Sequence, residues 1–303
     1  MLERCCLCPR ACQADRLQGQ RGYCGVADEI RVAHWGPHHG EEPPISGKKG
    51  SGNIFFASCN LRCVYCQNFQ ISHEGMGEGV TVNGLVEIFF ALEDMGLHNV
   101  NLVSPTPYIP FIAQAIERSR KMGLKMPFVY NSHGYEATDT LRMLEGLIDI
   151  YLPDFKYWSG DVAHHLSGAK DYPERARSAI LEMKRQVGDL AVQEGIARKG
   201  ILVRHLVLPS NLGGSRHVLK WIQQEMGPET YVSLMAQYTP LHKASDYPML
   251  SRGIREDEYE CLLDFARLEG LKNVFIQELG SAHLYVPDFE LEEPFQEYTK
   301  EDG

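Results

Sequence analysis

From about Gly52 onward the chain alternates short apolar runs with longer amphipathic stretches. The runs read "NIFFAS", "NVNLVSPT", "PFVYNS", "LIDIYLPDFK", "ILVRHLVLP", "YVSLMAQ" and "NVFIQE". Each is continuously apolar rather than strictly alternating, as expected of strands covered on both faces. Between them, "NGLVEIFFALEDMG" and "YIPFIAQAIERSRKMG" carry helical periodicity. In the first, Leu85, Ile88, Phe89 and Leu92 share one face, and Gly96 suits a C-terminal stop. Repeated β-then-α units predict an α/β fold with a parallel sheet and right-handed crossovers. Six or seven such units fit a partial or complete (β/α) barrel better than a small open sheet. A doubly wound sheet is the alternative, because strand order is not readable from one sequence.

In a parallel barrel, function belongs at the carboxyl ends of the strands. Polar and turn residues gather there: Cys59 after "NIFFAS", Ser104-Pro105-Thr106 after "NLV", Asn131-Ser132-His133 after "FVY", and Asp154 and Lys156 after "IYL". Residues 1–50 differ, being rich in Cys, Gly, Pro and His with one short strand expected around "IRVAHW". The expected organisation is a Cys-rich metal-binding segment over 1–50, a barrel core over 51–285 and an acidic tail over 286–303.

Composition narrows the function classes. The 303 residues are 44% hydrophobic and 23% charged, a globular balance, and 40 acidic against 30 basic residues give a net charge of −10. That acidity argues against a broad phosphate-binding face and so against a nucleic-acid partner. No run approaches the roughly 20 apolar residues that span a bilayer. The start, "MLERCCLCPR", has no apolar signal core, so a cytoplasmic location without membrane partners is expected. In that compartment thiols stay reduced, and clustered cysteines read as metal ligands rather than disulfides.

The nine cysteines fall in two groups, five in the first 24 residues and three at 59–66, with Cys261 alone. Cys261 sits in the amphipathic "EYECLLDFARL" and is expected to be a small core residue. In "SCNLRCVYCQN", Cys59, Cys63 and Cys66 offer three thiolates, one short of a closed protein shell. Three thiolates hold three corners of a cubane iron–sulfur cluster, and zinc also accepts three protein ligands plus water. The motif follows directly from the first expected barrel strand. Tyr65 precedes its last cysteine, where an aromatic ring can lie against a flat heterocycle.

This C-x3-C-x-aromatic-C motif resembles the signature of the radical S-adenosylmethionine (SAM) superfamily. "GEEPPISGKKGSGNIFFASCNLRCVYCQN" is similar to the pyruvate formate-lyase activating enzyme-like branch, especially members with an N-terminal cysteine set. The likeness continues through "NLVSPTPY", "VYNSHGYE", "YLPDFKY" and "VRHLVLP". The resemblance implies a partial (β/α) barrel of the radical SAM type. It implies a [4Fe-4S] cluster on Cys59, Cys63 and Cys66, whose fourth iron binds SAM.

Other roles follow from the same resemblance. Tyr65 would neighbour the adenine. Ser104 and Thr106 stand where the branch commonly has Gly-Gly-Glu, whose backbone holds the SAM amino group. Asp154 and Lys156 match an Asp-x-Lys element, with the lysine suited to the methionyl carboxylate. Asn131 and His205 would contact ribose or carboxylate. The plainer readings are a strand-end turn with a surface ion pair for "PDFKYW" and a satisfied core histidine for His205.

Cys5, Cys8, Cys12 and Cys24 form a C-x2-C-x3-C-x11-C series with Cys6 as the spare, a full shell for structural zinc or an auxiliary iron–sulfur cluster. "SGKKGSG" lacks the phosphate-loop pattern and reads as a glycine-rich approach to the first barrel strand, with a place lining the mouth as the further expectation. "HWGPHHGEE" offers three histidines and two acids for a metal or substrate, against a surface or structural role. The reading that joins these features is an enzyme that reductively cleaves SAM to a 5′-deoxyadenosyl radical and abstracts hydrogen. It implies a low-potential donor such as ferredoxin or flavodoxin. The substrate is either a partner-protein glycine, as for glycyl-radical activases, or a small metabolite or peptide. The non-enzymatic alternative is an iron–sulfur electron-transfer protein.

Overall fold

The computed structural model describes residues 1–280 and 286–295. The expected boundary at residue 285, and residues 296–303 of the expected acidic tail, lie outside the described residues.

The chain first lays down β1 (Ile30–His38), α1 (Pro43–Ser46) and β2 (Ser51–Phe56). After α2 (Phe69–Ser72) and β3 (Glu78–Val80) come α3 (Val82–Asp94), β4 (Val100–Val103) and α4 (Ile109–Lys121). Next are β5 (Phe128–Ser132), α5 (Thr138–Leu141), β6 (Ile150–Pro153), α6 (Gly160–Ser167) and α7 (Tyr172–Val187). The series ends with β7 (Ala191–Gln193), β8 (Ile196–Leu206), α8 (Ser215–Trp221), β9 (Tyr231–Met235), α9 (Glu256–Leu268) and β10 (Asn273–Ile276).

Among the described residues, ten strands form one sheet in the order β10-β9-β8-β6-β5-β4-β2-β1-β3, with β7 pairing beside β8. From β2 to β10 every neighbouring pair on that path is parallel. The sheet does not close: β10 ends one side, and β1 and β3 extend the other in antiparallel pairing. Each of the seven apolar runs supplies one of these parallel strands. The open parallel α/β sheet is the partial barrel expected.

Residues behave as their patterning dictates. In α3, Thr81 caps the start by accepting from the Gly84 amide, and Leu85, Ile88, Phe89 and Leu92 are buried. Gly96 follows with φ 73°, the left-handed stop. In α9 the buried residues are Tyr259, Leu262 and Ala266, which puts Cys261 on the outer face. Cys261 is exposed, its sulfur accepting from Arg216 Nη2 at 2.8 Å, so the core role expected for it is corrected. The helix phase decides this: Cys261 lies about 200° around the axis from Tyr259, two residues earlier.

The inner face is sealed at its amino end. Ile45 of α1 packs with Val129, Ile150, Leu152, Leu190, Ala197 and Leu202 in a separate apolar cluster. Asn99 holds that plug in place by donating Nδ2 to the Ile45 carbonyl at 2.8 Å. The cup formed by the sheet therefore opens only toward the carboxyl ends of its strands.

Candidate functional site

The cysteine loop leaves β2 through two left-handed residues, Ser58 (φ 70°) and Arg62 (φ 60°). Such non-glycine conformations cost about 1 kcal/mol or more and persist where neighbours enforce them. Here Ser58 N donates to Ile71 O, Val64 N to Leu166 O, and Asn60 Nδ2 to Tyr135 O. Cys59 and Cys63 are buried and Cys66 half-buried, and all three line one cavity of about 410 Å³.

The donor set suits an iron–sulfur cluster. Thiolate ligands take hydrogen bonds at sulfur. Leu61 N donates to Cys59 Sγ at 3.3 Å, Ser167 Oγ to Cys63 Sγ at 3.1 Å, and Ser72 Oγ lies 3.2 Å from Cys66 Sγ. Burial pushes the Cys59 thiol up to about 12 and the Cys66 thiol up to about 11. A bound cation is what would hold such buried sulfurs as thiolates. No three His, Cys, Asp or Glu side chains among the described residues are already drawn into a finished metal-ion geometry.

Across the cavity from the loop's own strand, the ends of β4, β5, β6 and β8 bring in Ser104, Asn131, Asp154, Lys156 and Arg204. Ser104 is itself left-handed (φ 57°), at the turn where the resemblance expects glycine. Asp154 receives Lys156 Nζ at 2.6 Å on one oxygen and Arg204 Nε at 2.8 Å on the other. Burial alone would raise its pKa, but the two cations outweigh that and hold the carboxyl at about 2. Burial opposes the Lys156 charge, yet Asp154 and the nearby Cys63 leave its pKa raised. The pair is buried, with side chains 14% and 9% exposed, so "PDFKYW" is not a surface turn. Gly134 makes this packing possible: a Cβ there would collide with the Asp154 carbonyl.

Arg204 was not among the expected site residues, whereas Glu41 is one of the two acids of "HWGPHHGEE". Arg204 Nη1 meets Glu41 Oε2 at 3.1 Å and Nη2 meets Asn131 Oδ1 at 2.6 Å. Glu41 Oε1 in turn accepts from Asn53, Asn101 and Asn131. The available signal was a charge inside an apolar strand run, since a buried charge needs partners.

The other expected residues divide. Tyr65 lines the cavity, its hydroxyl 2.5 Å from that of Tyr157 and its ring against Tyr238. Thr106 is fully buried off the cavity wall, donating to Glu136 Oε1 at 2.7 Å. His205 is also off the wall. Its Nδ1 lies 2.6 Å from the Phe155 carbonyl, its Nε2 lies 2.8 Å from Ser215 Oγ, and burial lowers its pKa to about 4. The structure thus gives His205 the geometry of a satisfied core histidine, while its neighbour Arg204 reaches the cavity. "SGKKGSG" leads into the amino end of β2, away from the mouth, whereas His38, Glu41 and Glu42 of "HWGPHHGEE" line the cavity.

Cys5, Cys8, Cys12 and Cys24 line a second, much smaller cavity with Arg16, Tyr23 and Asn60, and Cys6 is exposed. Burial raises Cys8 to about 12 and raises Cys24 as well. The segment is tied to the barrel by Arg16, fully buried, whose Nη1 donates to Pro107 O at 2.8 Å, and by Arg10, which donates to Asn60 O and Ser167 O. The thiol groups suit a four-coordinate ion or a small cluster by type.

Comparison with known proteins agrees with this architecture. No family model matches the chain. Two proteins of Methanocaldococcus jannaschii are similar over most of it. Uncharacterized protein MJ0674 is 27% identical over 285 residues, covering 91% of this chain and 78% of that one. Uncharacterized protein MJ0808 is 25% identical over 293 residues, covering 90% and 80%. Among solved structures, HydG, a maturase of the [FeFe]-hydrogenase, superposes with a TM-score of 0.50 at 12% identity over 76% of this chain. At that identity the likeness concerns the fold, and the chain spans about half (52%) of the HydG length.

Proposed function

We propose that this chain is a radical SAM enzyme of the pyruvate formate-lyase activating enzyme-like type. One observation carries the reading: a three-cysteine loop at the carboxyl end of β2 opens onto a cavity whose far wall is Ser104, Asn131, Asp154 and Lys156. Cys59, Cys63 and Cys66 would hold a [4Fe-4S] cluster, and the cavity beside them would receive SAM. When bound, the reduced cluster and SAM supply a 5′-deoxyadenosyl radical that abstracts hydrogen from substrate.

The protein's own residues set the conditions. Lys156, fixed by Asp154, presents a buried ammonium suited to a carboxylate. Tyr65, locked through Tyr157, offers an aromatic wall. Ser167 and Ser72 supply hydroxyls at the sulfurs. Electrons would come from a low-potential ferredoxin or flavodoxin in the cytoplasm. Among the described residues no helix is long and apolar enough to cross a membrane. Cys5, Cys8, Cys12 and Cys24 would carry a second site, zinc or an auxiliary cluster. An electron carrier has no use for a cavity of about 410 Å³ beside its cluster, which favours the enzyme.

Anaerobically reconstituted protein given SAM and dithionite should release 5′-deoxyadenosine, measured by liquid chromatography. Absence of product with dithionite and with reduced flavodoxin alike contradicts the reading.

A further inference from the structure

The cavity has a second wall that neither the cysteine loop nor the Asp154–Lys156 pair occupies. Its floor, just before the α1 plug, carries Glu42. Glu42 is 9% exposed, and its Oε2 is buried without a hydrogen-bond partner. Burial raises its pKa against the opposing pull of Arg204, with Ser233 beside the carboxyl. Arg204 does not resolve this. Its Nε, Nη1 and Nη2 go to Asp154, Glu41 and Asn131. A buried carboxylate with an oxygen left unmet is costly, so a donor arriving with a ligand complements it.

The surroundings specify what kind of donor. His38, Phe55 and Phe295 line the same cavity as a ring cluster, with centroids 4.6 Å apart for His38–Phe295 and 5.1 Å for Phe55–Phe295. Aromatic faces attract cations. Burial lowers the His38 pKa, which disfavours a competing positive charge there. The two buried cations, Arg204 and Lys156, are engaged by Glu41 and Asp154, so neither is committed to Glu42.

We propose that the cavity floor is a cation subsite, in which Glu42 takes the ammonium group of a small-molecule substrate, with His38, Phe55 and Phe295 lining the same cavity. As the substrate site of the reaction above, this rests on that reading; as an ammonium site it stands without it. An ammonium brings N–H donors for Glu42, and its charge favours the ionised carboxylate over the protonated one. A glycyl loop of a partner protein brings backbone N–H donors but no positive charge. The cavity of about 410 Å³ is of a size that holds small ligands.

The test uses benzylammonium and the neutral benzyl alcohol as probes, with dissociation constants from ligand-observed NMR on the reconstituted full chain. Neither SAM nor reductant is added, so the result is independent of SAM cleavage. Wild type should bind the ammonium about tenfold or more tightly than the alcohol. Glu42→Gln, which keeps the side-chain shape, should bring the two affinities together. Equal affinities in wild type overturn the proposal whatever any variant does, as does a preference that survives in Glu42→Gln. Release of 5′-deoxyadenosine by the same preparation is scored separately, so failure of the amine site and failure of the radical SAM reading give different results.

Discussion

The two cysteine groups of this chain use the same side chain in opposite settings. Cys59, Cys63 and Cys66 stand on a strained loop beside a cavity of about 410 Å³ whose other walls include the ends of β4, β5, β6, β8, β9 and β10. Cys5, Cys8, Cys12 and Cys24 surround a space of about 10 Å³, closed by Arg16, Tyr23 and Asn60. Three thiols with room beside them suit chemistry on a ligand, and four thiols with no room suit a closed shell. The contrast teaches that the empty neighbouring volume, more than the ligand type, separates a reactive site from a structural one.

The largest effect that breaks or upholds this contrast is on SAM cleavage. Cys63→Ala should lower 5′-deoxyadenosine formation at least about a thousandfold, as expected when a whole catalytic unit is lost. Its metal content at the N-terminal segment, by plasma mass spectrometry, should remain. Cys8→Ala should do the reverse, losing the second metal while the cluster absorbance of the first persists. A Cys8→Ala protein with unchanged metal content would remove the second site from the account.

Next in size is the buried ion network at the open site. Arg204→Met leaves Glu41 and Asp154 buried without their shared cation. It should destabilise the fold by about 3–5 kcal/mol in urea denaturation. Asp154 has its own pH signature. Its carboxyl is held at about 2, below the ordinary 3.8, so its contribution is present above pH 3.8 and is lost as pH falls through about 2. In Arg204→Met that acid-side loss should shift upward in pH.

A comparable effect of opposite sign comes from Glu136, which lies between the two regions under Thr106. Burial raises its pKa from 4.5 to about 7, so the folded protein keeps a proton that the unfolded chain gives up. Stability from this group is therefore full below pH 4.5 and falls as pH rises to about 7. The total loss is about 3 kcal/mol. Glu136→Gln should flatten that dependence and raise the melting temperature above pH 7, read by thermal scans across pH 5–8.

The smallest effect belongs to the surface. Neutralising the exposed Arg255–Asp257 pair should leave the urea unfolding midpoint nearly unchanged, in contrast to Arg204.

Much of this architecture is legible in the chain because its strands are continuous apolar runs, each long enough to be unambiguous. The short β3 and β7, three residues each, carry no such pattern. Parity is the harder problem. In "ILVRHLVLP" both faces are buried, so alternation does not tell which of Arg204 and His205 looks inward. Leu202 on the inner cluster and Val203 on the outer one settle the parity, and only the folded sheet supplies that pairing. The α1 plug and the pairing of Glu41 with Arg204 escape for a related reason, since the partners lie up to 163 residues away. The three-cysteine loop is legible because its donors sit within eight residues of one another.

The central claim is that a cluster on Cys59, Cys63 and Cys66 has an iron open to SAM. Electron paramagnetic resonance of the anaerobically reduced Cys8→Ala protein, with and without SAM, tests it with the N-terminal site disabled. The account predicts a reduced [4Fe-4S] signal whose g-values shift on SAM addition and which Cys63→Ala, made in the same background, abolishes. A signal unchanged by saturating SAM, or one that survives loss of Cys63, would contradict it.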